Sequence, residues 1–102
     1  MSKITDFAEG KNCMARIPNV CDNDTTTTVW AHIRSVRFDA GTSKKPIDLI
    51  GLISCFKCHQ VIDGREKKDR HGNRVDTDFI KMCAYEGHME SLMMLVKAGI
   101  VG

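Results

Sequence analysis

Cys55-Phe56-Lys57-Cys58-His59 is the stretch on which the reading of this chain turns. Two cysteines separated by two residues are spaced to hold one zinc ion as thiolates, provided a second pair comes from elsewhere. Cys13 and Cys21 are the obvious second pair. If a helix begins inside the stretch, each residue turns about 100° from the last. His59 then points away from the ion that Cys58 binds. A helix end anchored by metal would carry an imidazole on its other side, where a catalytic site can sit.

Working outward toward the N-terminus, Pro46 to Gly51 reads as a short strand returning to the cysteines, with Pro46 at the first position, where a missing N–H costs least. Ser35 to Lys45 is a connection ending in Lys44-Lys45. Thr25 to Arg34 (TTTTVWAHIR) is rich in β-branched residues and reads as the clearest strand. Side chains alternate along a strand, so Val29, Ala31 and Ile33 are expected inward. Thr28, Trp30, His32 and Arg34 are expected on an open face, where His32 and Arg34 can both reach one anionic ligand. Asp22 to Asp24 is a polar turn. Between Cys13 and Cys21, Pro18-Asn19 marks a turn able to bring both sulfurs to one ion. The intervening gap is wider than the usual two to four residues. Met1 to Asn12 is polar and reads as a short helix or an ordered arm.

Toward the C-terminus, the helix opening near Cys55 should run to about Asp63, with Gly64 as its stop. Arg65 to Arg74 (REKKDRHGNR) has five basic and two acidic residues and no apolar one, so it reads as a solvated loop. Asp76 or Thr77 can cap a final helix reaching about Ala98, with Gly99 just beyond. Ile80, Cys83, Ala84, Gly87, Leu92, Leu95 and Val96 recur at roughly helical spacing. Gly87 costs such a helix about 1 kcal/mol relative to alanine and is a possible break. Cys83 is read as core, Met89, Met93 and Met94 as packing for this helix, and His71 and His88 as solvated.

At 102 residues the chain is expected to form one small domain, burying only about two-thirds of its unfolded surface. Its hydrophobic fraction is 42% but aromatics are only 6%, and a core short of large side chains benefits from a metal staple. The formal net charge of +2 does not by itself identify a nucleic-acid binder. Met1 to Lys11 has no apolar run resembling a signal peptide, and no segment is long enough to span a membrane. The expected location is therefore the cytoplasm, where five cysteines argue for metal ligands plus one spare rather than for disulfides.

The order is thus cysteine loop, strand with histidine, loop, strand, then C-x-x-C-H opening a helix. It resembles the treble-clef arrangement of zinc-bound HNH nucleases, the ββα-metal group. Cys13…Arg16-Ile-Pro…Cys21, Thr-Thr-Val-Trp-Ala-His32-Ile-Arg34, Lys45-Pro46-Ile-Asp48-Leu49 and Cys55-x-x-Cys58-His59 with Ile62-Asp63 resemble the YbcO family of prophage-derived "putative nuclease" proteins. The resemblance covers Cys13 to Gly64 and continues faintly in Lys81-x-Cys83-Ala84-x-Glu86-Gly87.

The resemblance implies an α+β fold. A zinc-stapled treble-clef core of β-hairpin plus helix would span 13–64, a basic loop 65–75, and a helix packed on the core 76–98. It implies that His32 is the general base of phosphodiester hydrolysis and that His59 binds the catalytic divalent ion, such as magnesium or manganese. The family's middle asparagine is absent, and Asp48 is the nearest candidate for its place as a second ligand of that ion. Arg34 would clamp a phosphate oxygen with its planar donor fork. Zinc on Cys13, Cys21, Cys55 and Cys58 would be structural, because a closed tetrahedral site leaves no position for substrate. Lys44, Lys45 and Arg65 are expected to touch the phosphate backbone of a nucleic acid, DNA being the first choice. Ala31 stands where many HNH enzymes carry a further metal ligand. That leaves open a non-catalytic zinc module that binds DNA or a phage or host protein.

Overall fold

Capping residues set where the elements begin and end. In the computed structural model, which describes residues 3–33 and 49–101, the order is helix α1 (Lys3–Ala8), strand β1 (Val29–His32), strand β2 (Gly51–Ser54), helix α2 (Phe56–Ile62) and helix α3 (Thr77–Lys97). Asp76 caps α3 by accepting the Asp78 N–H, and Ala98 closes it. α2 runs from Cys55 as cap to Asp63. Gly64 and Gly99 follow the two helices at φ +78° and +76°, left-handed values that glycine adopts without a Cβ clash.

β1 and β2 pair antiparallel, with Val29 opposite Ser54, Trp30 opposite Ile53, Ala31 opposite Leu52 and His32 opposite Gly51. A two-stranded sheet leaves a row of unpaired backbone groups along each edge. Here the outer edge of β2 is closed by groups from outside the sheet. The Ile53 N–H donates to Ser91 Oγ at 2.9 Å, and its carbonyl accepts the Met14 N–H at 2.8 Å. His88 Nδ1 lies 2.7 Å from the Gly51 carbonyl. The Ser91 hydroxyl in turn donates to the Gly87 carbonyl at 2.6 Å. Gly87 does not break α3. A Cβ there would meet Leu52 Cδ1 at 2.7 Å and the Met14 carbonyl oxygen at 2.9 Å, so the bare backbone lets α3 lie directly on β2.

Both faces of the hairpin are covered. On one, Ala31, Leu52 and Ile33 join Cys13, Ile17, Cys55, Cys58, Val61, Ile80 and Ala84. On the other, Trp30 and Ile53 pack with Ala8 of α1 and Leu95 of α3, flanked by Ile4, Phe7 and Met94. This corrects the expected open face: Trp30 is 5% and Thr28 3% exposed, whereas Val29, expected inward, is 38% exposed. Strand alternation sorted the side chains into two sets, but α1 and the end of α3 supply an apolar layer that alternation cannot reveal.

Two further boundaries differ from expectation. Thr25–Thr27 is a turn of 3-10 helix rather than strand. Asp24 Oδ1 accepts from the Thr26 N–H and hydroxyl, and this local capping outweighs β-branched propensity. The second strand begins at Gly51 rather than ending there, and Pro46 to Asp48 lie outside the described residues. The first position of that strand must be bare, because a Cβ at Gly51 would come within 2.6 Å of the Trp30 indole nitrogen. In α3, Met94 packs inward as expected, whereas Met89, Met93 and Val96 are 61%, 56% and 51% exposed. His88 is part-buried and hydrogen-bonded rather than solvated. No helix among the described residues is long and apolar enough to cross a membrane.

Candidate metal centre and adjoining histidines

The two halves of the cysteine cluster are presented by different local devices. Cys55 is the extended residue between β2 and α2, and Cys58 lies in the first turn of the helix. The freed N–H of Phe56 at the helix start is taken by Thr27 Oγ1 at 3.1 Å. Cys13 and Cys21 flank a loop in which the Val20 and Cys21 N–H groups both bond the Ile17 carbonyl. Asn23 Oδ1 accepts the Cys13 N–H at 2.8 Å. Arg16, Asn19 and Asn23 take left-handed backbone at φ 46°, 61° and 47°.

The outcome is that the sulfurs of Cys13, Cys21, Cys55 and Cys58 all lie within 4.8 Å of one another. Cys21 and Cys55 are 3.9 Å apart. Tetrahedral zinc with Zn–S bonds of about 2.3 Å requires sulfur separations of about 3.8 Å. The donor set therefore fits zinc in both chemistry and spacing, and the cluster can hold such an ion. Cys13, Cys55 and Cys58 are buried and Cys21 half-buried, and none forms a disulfide.

Their electrostatics respond to the same crowding. A hydrogen bond between Cys58 and Cys13 lowers the Cys13 pKa below the ordinary thiol value, favouring its thiolate. That bond, followed by burial, pushes Cys58 up. Burial above all raises Cys21 to about 11. A cation among the sulfurs reverses the balance, because a coordinating thiol is deprotonated outright.

Cys58 and its neighbour His59 face different surroundings, as the helical turn requires. Cys58 is fully buried among the sulfurs, whereas the His59 side chain is 28% exposed. His59 Nε2 lies 3.1 Å from Asp63 Oδ2, one helical turn along. Since an ionised carboxylate only accepts, Nε2 carries the proton, leaving the Nδ1 lone pair in neutral histidine. Arg65 reaches the same Asp63 oxygen at 3.8 Å. Asp63 is thus a member of this site that the sequence motifs do not assign. The spacing of four between His59 and Asp63 on a helix was the available signal.

His32 is half-buried at the end of β1 and sits opposite Gly51. The carbonyl of Gly51 engages His88, so a second histidine from α3 stands beside this end of the hairpin. Arg34, Lys44, Lys45 and Asp48 lie outside the described residues.

The basic segment after α2 is exposed yet ordered. Lys68 bridges to Arg74, and Asp69 Oδ1 accepts the His71 and Asn73 N–H groups. Arg70 ties the segment to the cysteine loop, donating from its guanidinium to the Cys21 carbonyl at 2.9 Å and from its N–H to the Asn19 carbonyl. Between this segment and α2 lies a cleft of about 390 Å³, lined by Lys57, Arg65, Lys68, Arg70, Glu66 and Asp69 with Phe56, Gln60, Val20 and Val61.

Comparison with known proteins places this arrangement in a family. The family model described as "Putative nuclease YbcO" matches residues 2–100. "Putative nuclease YbcO" of Escherichia coli (strain K12) is 38% identical over 101 residues, covering 99% of this chain and 98% of the relative. "Putative nuclease ybcO" of Enterobacteria phage 82 has the same identity and coverage. A solved structure titled "Structure of a putative bacteriophage protein from Escherichia coli str. K-12 substr. MG1655" superposes with a TM-score of 0.75 at 37% identity. That match covers 93% of this chain and 98% of the other. A match that runs nearly end to end means that the chain belongs to the YbcO family.

Proposed function

We infer that the protein is a metal-dependent HNH-type endonuclease built on a zinc-bound treble clef, acting on nucleic acid with DNA as the first substrate to try. The observation that carries the reading is the position of His59. It follows directly on a buried metal-binding cysteine yet is turned out of the sulfur cluster, with Nε2 held by Asp63 at 3.1 Å. A histidine oriented through one nitrogen by a carboxylate is the usual form of a metal ligand.

In this reading zinc on Cys13, Cys21, Cys55 and Cys58 would be structural, and a separate divalent ion would supply charge neutralisation at the scissile phosphate and the leaving oxygen. His59 would hold that ion through its Nδ1 lone pair, with Asp48 as a second ligand. His32 takes a proton from the attacking water. Arg34 holds a phosphate oxygen. Lys44, Lys45 and Arg65 contact the backbone, and cations outnumber anions on the cleft that Arg65 lines. A non-catalytic nucleic-acid or protein-binding module is the second reading. It is favoured by Ala31, which is 0% exposed and offers no metal ligand beside His32.

The test is cleavage of supercoiled plasmid, single-stranded DNA and RNA by the zinc-loaded protein with magnesium, manganese, nickel or zinc. His32→Ala should slow cleavage by about 10²–10⁴-fold with the fold intact. His59→Ala should raise the metal concentration required, and Asp63→Asn should do so more mildly, by about 10–100-fold. A wild-type protein that cuts none of these substrates establishes the binding-module reading. Equal cutting without His32 assigns the activity elsewhere.

A further inference from the structure

The α3 helix has two apolar faces, and the core uses only one. Ile80, Ala84, Gly87, Ser91 and Leu95 are buried against the hairpin. At about 100° per residue, the side directly opposite carries Phe79, Met82, Tyr85, Met89, Met93 and Val96, between 39% and 61% exposed, with the exposed Glu86 as the one charged residue in their middle. These residues recur every three or four positions over nearly the whole helix, which is the seam of a helix that packs against another helix. Surface methionines and aromatics scattered singly need no explanation, but a continuous row of them does.

We propose that this face is a homodimer interface, formed by α3 packing antiparallel against α3 of a second copy. The row reads the same from either end. Setting Phe79 against Val96 of a second copy also sets Met82 against Met93, brings Tyr85 beside Met89 with Glu86 facing Met89 at the centre, and brings Asp78 to Lys97 at each end. A two-fold interface requires such self-complementarity, because each contact must occur twice. Neither Asp78 nor Lys97 has an ion-pair partner within the chain among the described residues. Their opposite charges at opposite ends of the row disfavour the parallel arrangement, which would bring like charges together.

The area is sufficient. Large side chains carry roughly 150–250 Å² each. At about half exposure the six offer at most roughly 600 Å² per copy, so a pair covering the whole row reaches the ~1,000 Å² of a specific interface. The proposal does not rest on the catalytic reading.

Sedimentation equilibrium of the full, metal-loaded chain tests it. The wild type should approach twice the 11.4 kDa of one chain at micromolar concentration. Met89→Glu sets a second carboxylate directly against Glu86 of the other copy at the centre of the seam. It should weaken dimerisation by about thirty-fold or more without changing the circular dichroism spectrum, because Met89 is 61% exposed on the side of α3 away from the hairpin. Asp78→Lys should weaken the dimer, and Asp78→Lys with Lys97→Asp should restore it. A wild type that stays monomeric overturns the proposal, as does a Met89→Glu dimer of undiminished strength. Failure of the double exchange to restore association overturns the antiparallel register. A monomer in which Met89 and Met93 resist hydrogen peroxide shows that another part of the chain covers the row, and also overturns it.

Discussion

If the four-cysteine cluster holds zinc as proposed, removing that ion should unfold this protein rather than loosen one loop. Cys13, Cys55 and Cys58 share a buried layer with Ile17, Ala31, Leu52 and Val61, so the cluster is the centre of one apolar layer and not an appendage. The loop joining Cys13 to Cys21 holds left-handed backbone at Arg16 and Asn19. Such conformations cost on the order of 1–3 kcal/mol each and persist only where the surroundings over-determine them. A structural zinc commonly contributes ~10 kcal/mol or more, against a total stability of roughly 5–15 kcal/mol for a domain. Losing the ion therefore removes most or all of the margin. The same holds for Cys55→Ser, which deletes a thiolate at a position that is 0% exposed.

The assay is metal analysis of the purified chain, then chelation followed by far-ultraviolet circular dichroism and thermal melting. One zinc per chain is expected, with loss of the cooperative transition on chelation and its return when zinc is restored. No stoichiometric zinc, or a chelated protein and a Cys55→Ser variant melting within a few degrees of the wild type, would refute the reasoning.

Two further outcomes rest on specific side chains. Gly51→Ala should destabilise by about 1–3 kcal/mol through overpacking, because the new Cβ meets Trp30 Nε1 at 2.6 Å and the Ala31 carbonyl at 2.7 Å. At roughly 4–8 °C per kcal/mol for a chain near this size, a thermal melt lowered by less than about 3 °C would show that the indole simply moves aside. Neutral substitutions at Lys44, Lys45 and Arg65 should weaken nucleic-acid binding and flatten its salt dependence, by about 0.9 in log–log slope for each phosphate no longer neutralised. Fluorescence anisotropy against salt concentration measures this, and an unchanged slope makes those side chains solvated surface only.

What the sequence alone determined is what depends on neighbours along the chain. The C-x-x-C spacing, the turn at Pro18-Asn19, the Asp76 cap and the glycines after Asp63 and Ala98 act within a few residues. Accordingly, the four-cysteine set and the ends of α2 and α3 were legible, and the separation of His59 from the sulfurs follows from helical pitch. The His59–Asp63 pair was equally local, since four residues along a helix return to the same face. Packing between distant elements decided the rest. Trp30 and His32 lie on one side of β1 by alternation, but only the arrival of α1 and the end of α3 buries Trp30. The need for a bare backbone at Gly51 is set by an indole twenty-one residues upstream. The closure of its outer edge is set by Ser91 and His88 on α3. In α3 the helical period placed apolar residues on two opposite sides, and nothing local ranks one above the other. Only packing against β2, made possible where Gly87 lacks a side chain, selects the inner face and leaves Met89 and Met93 outside.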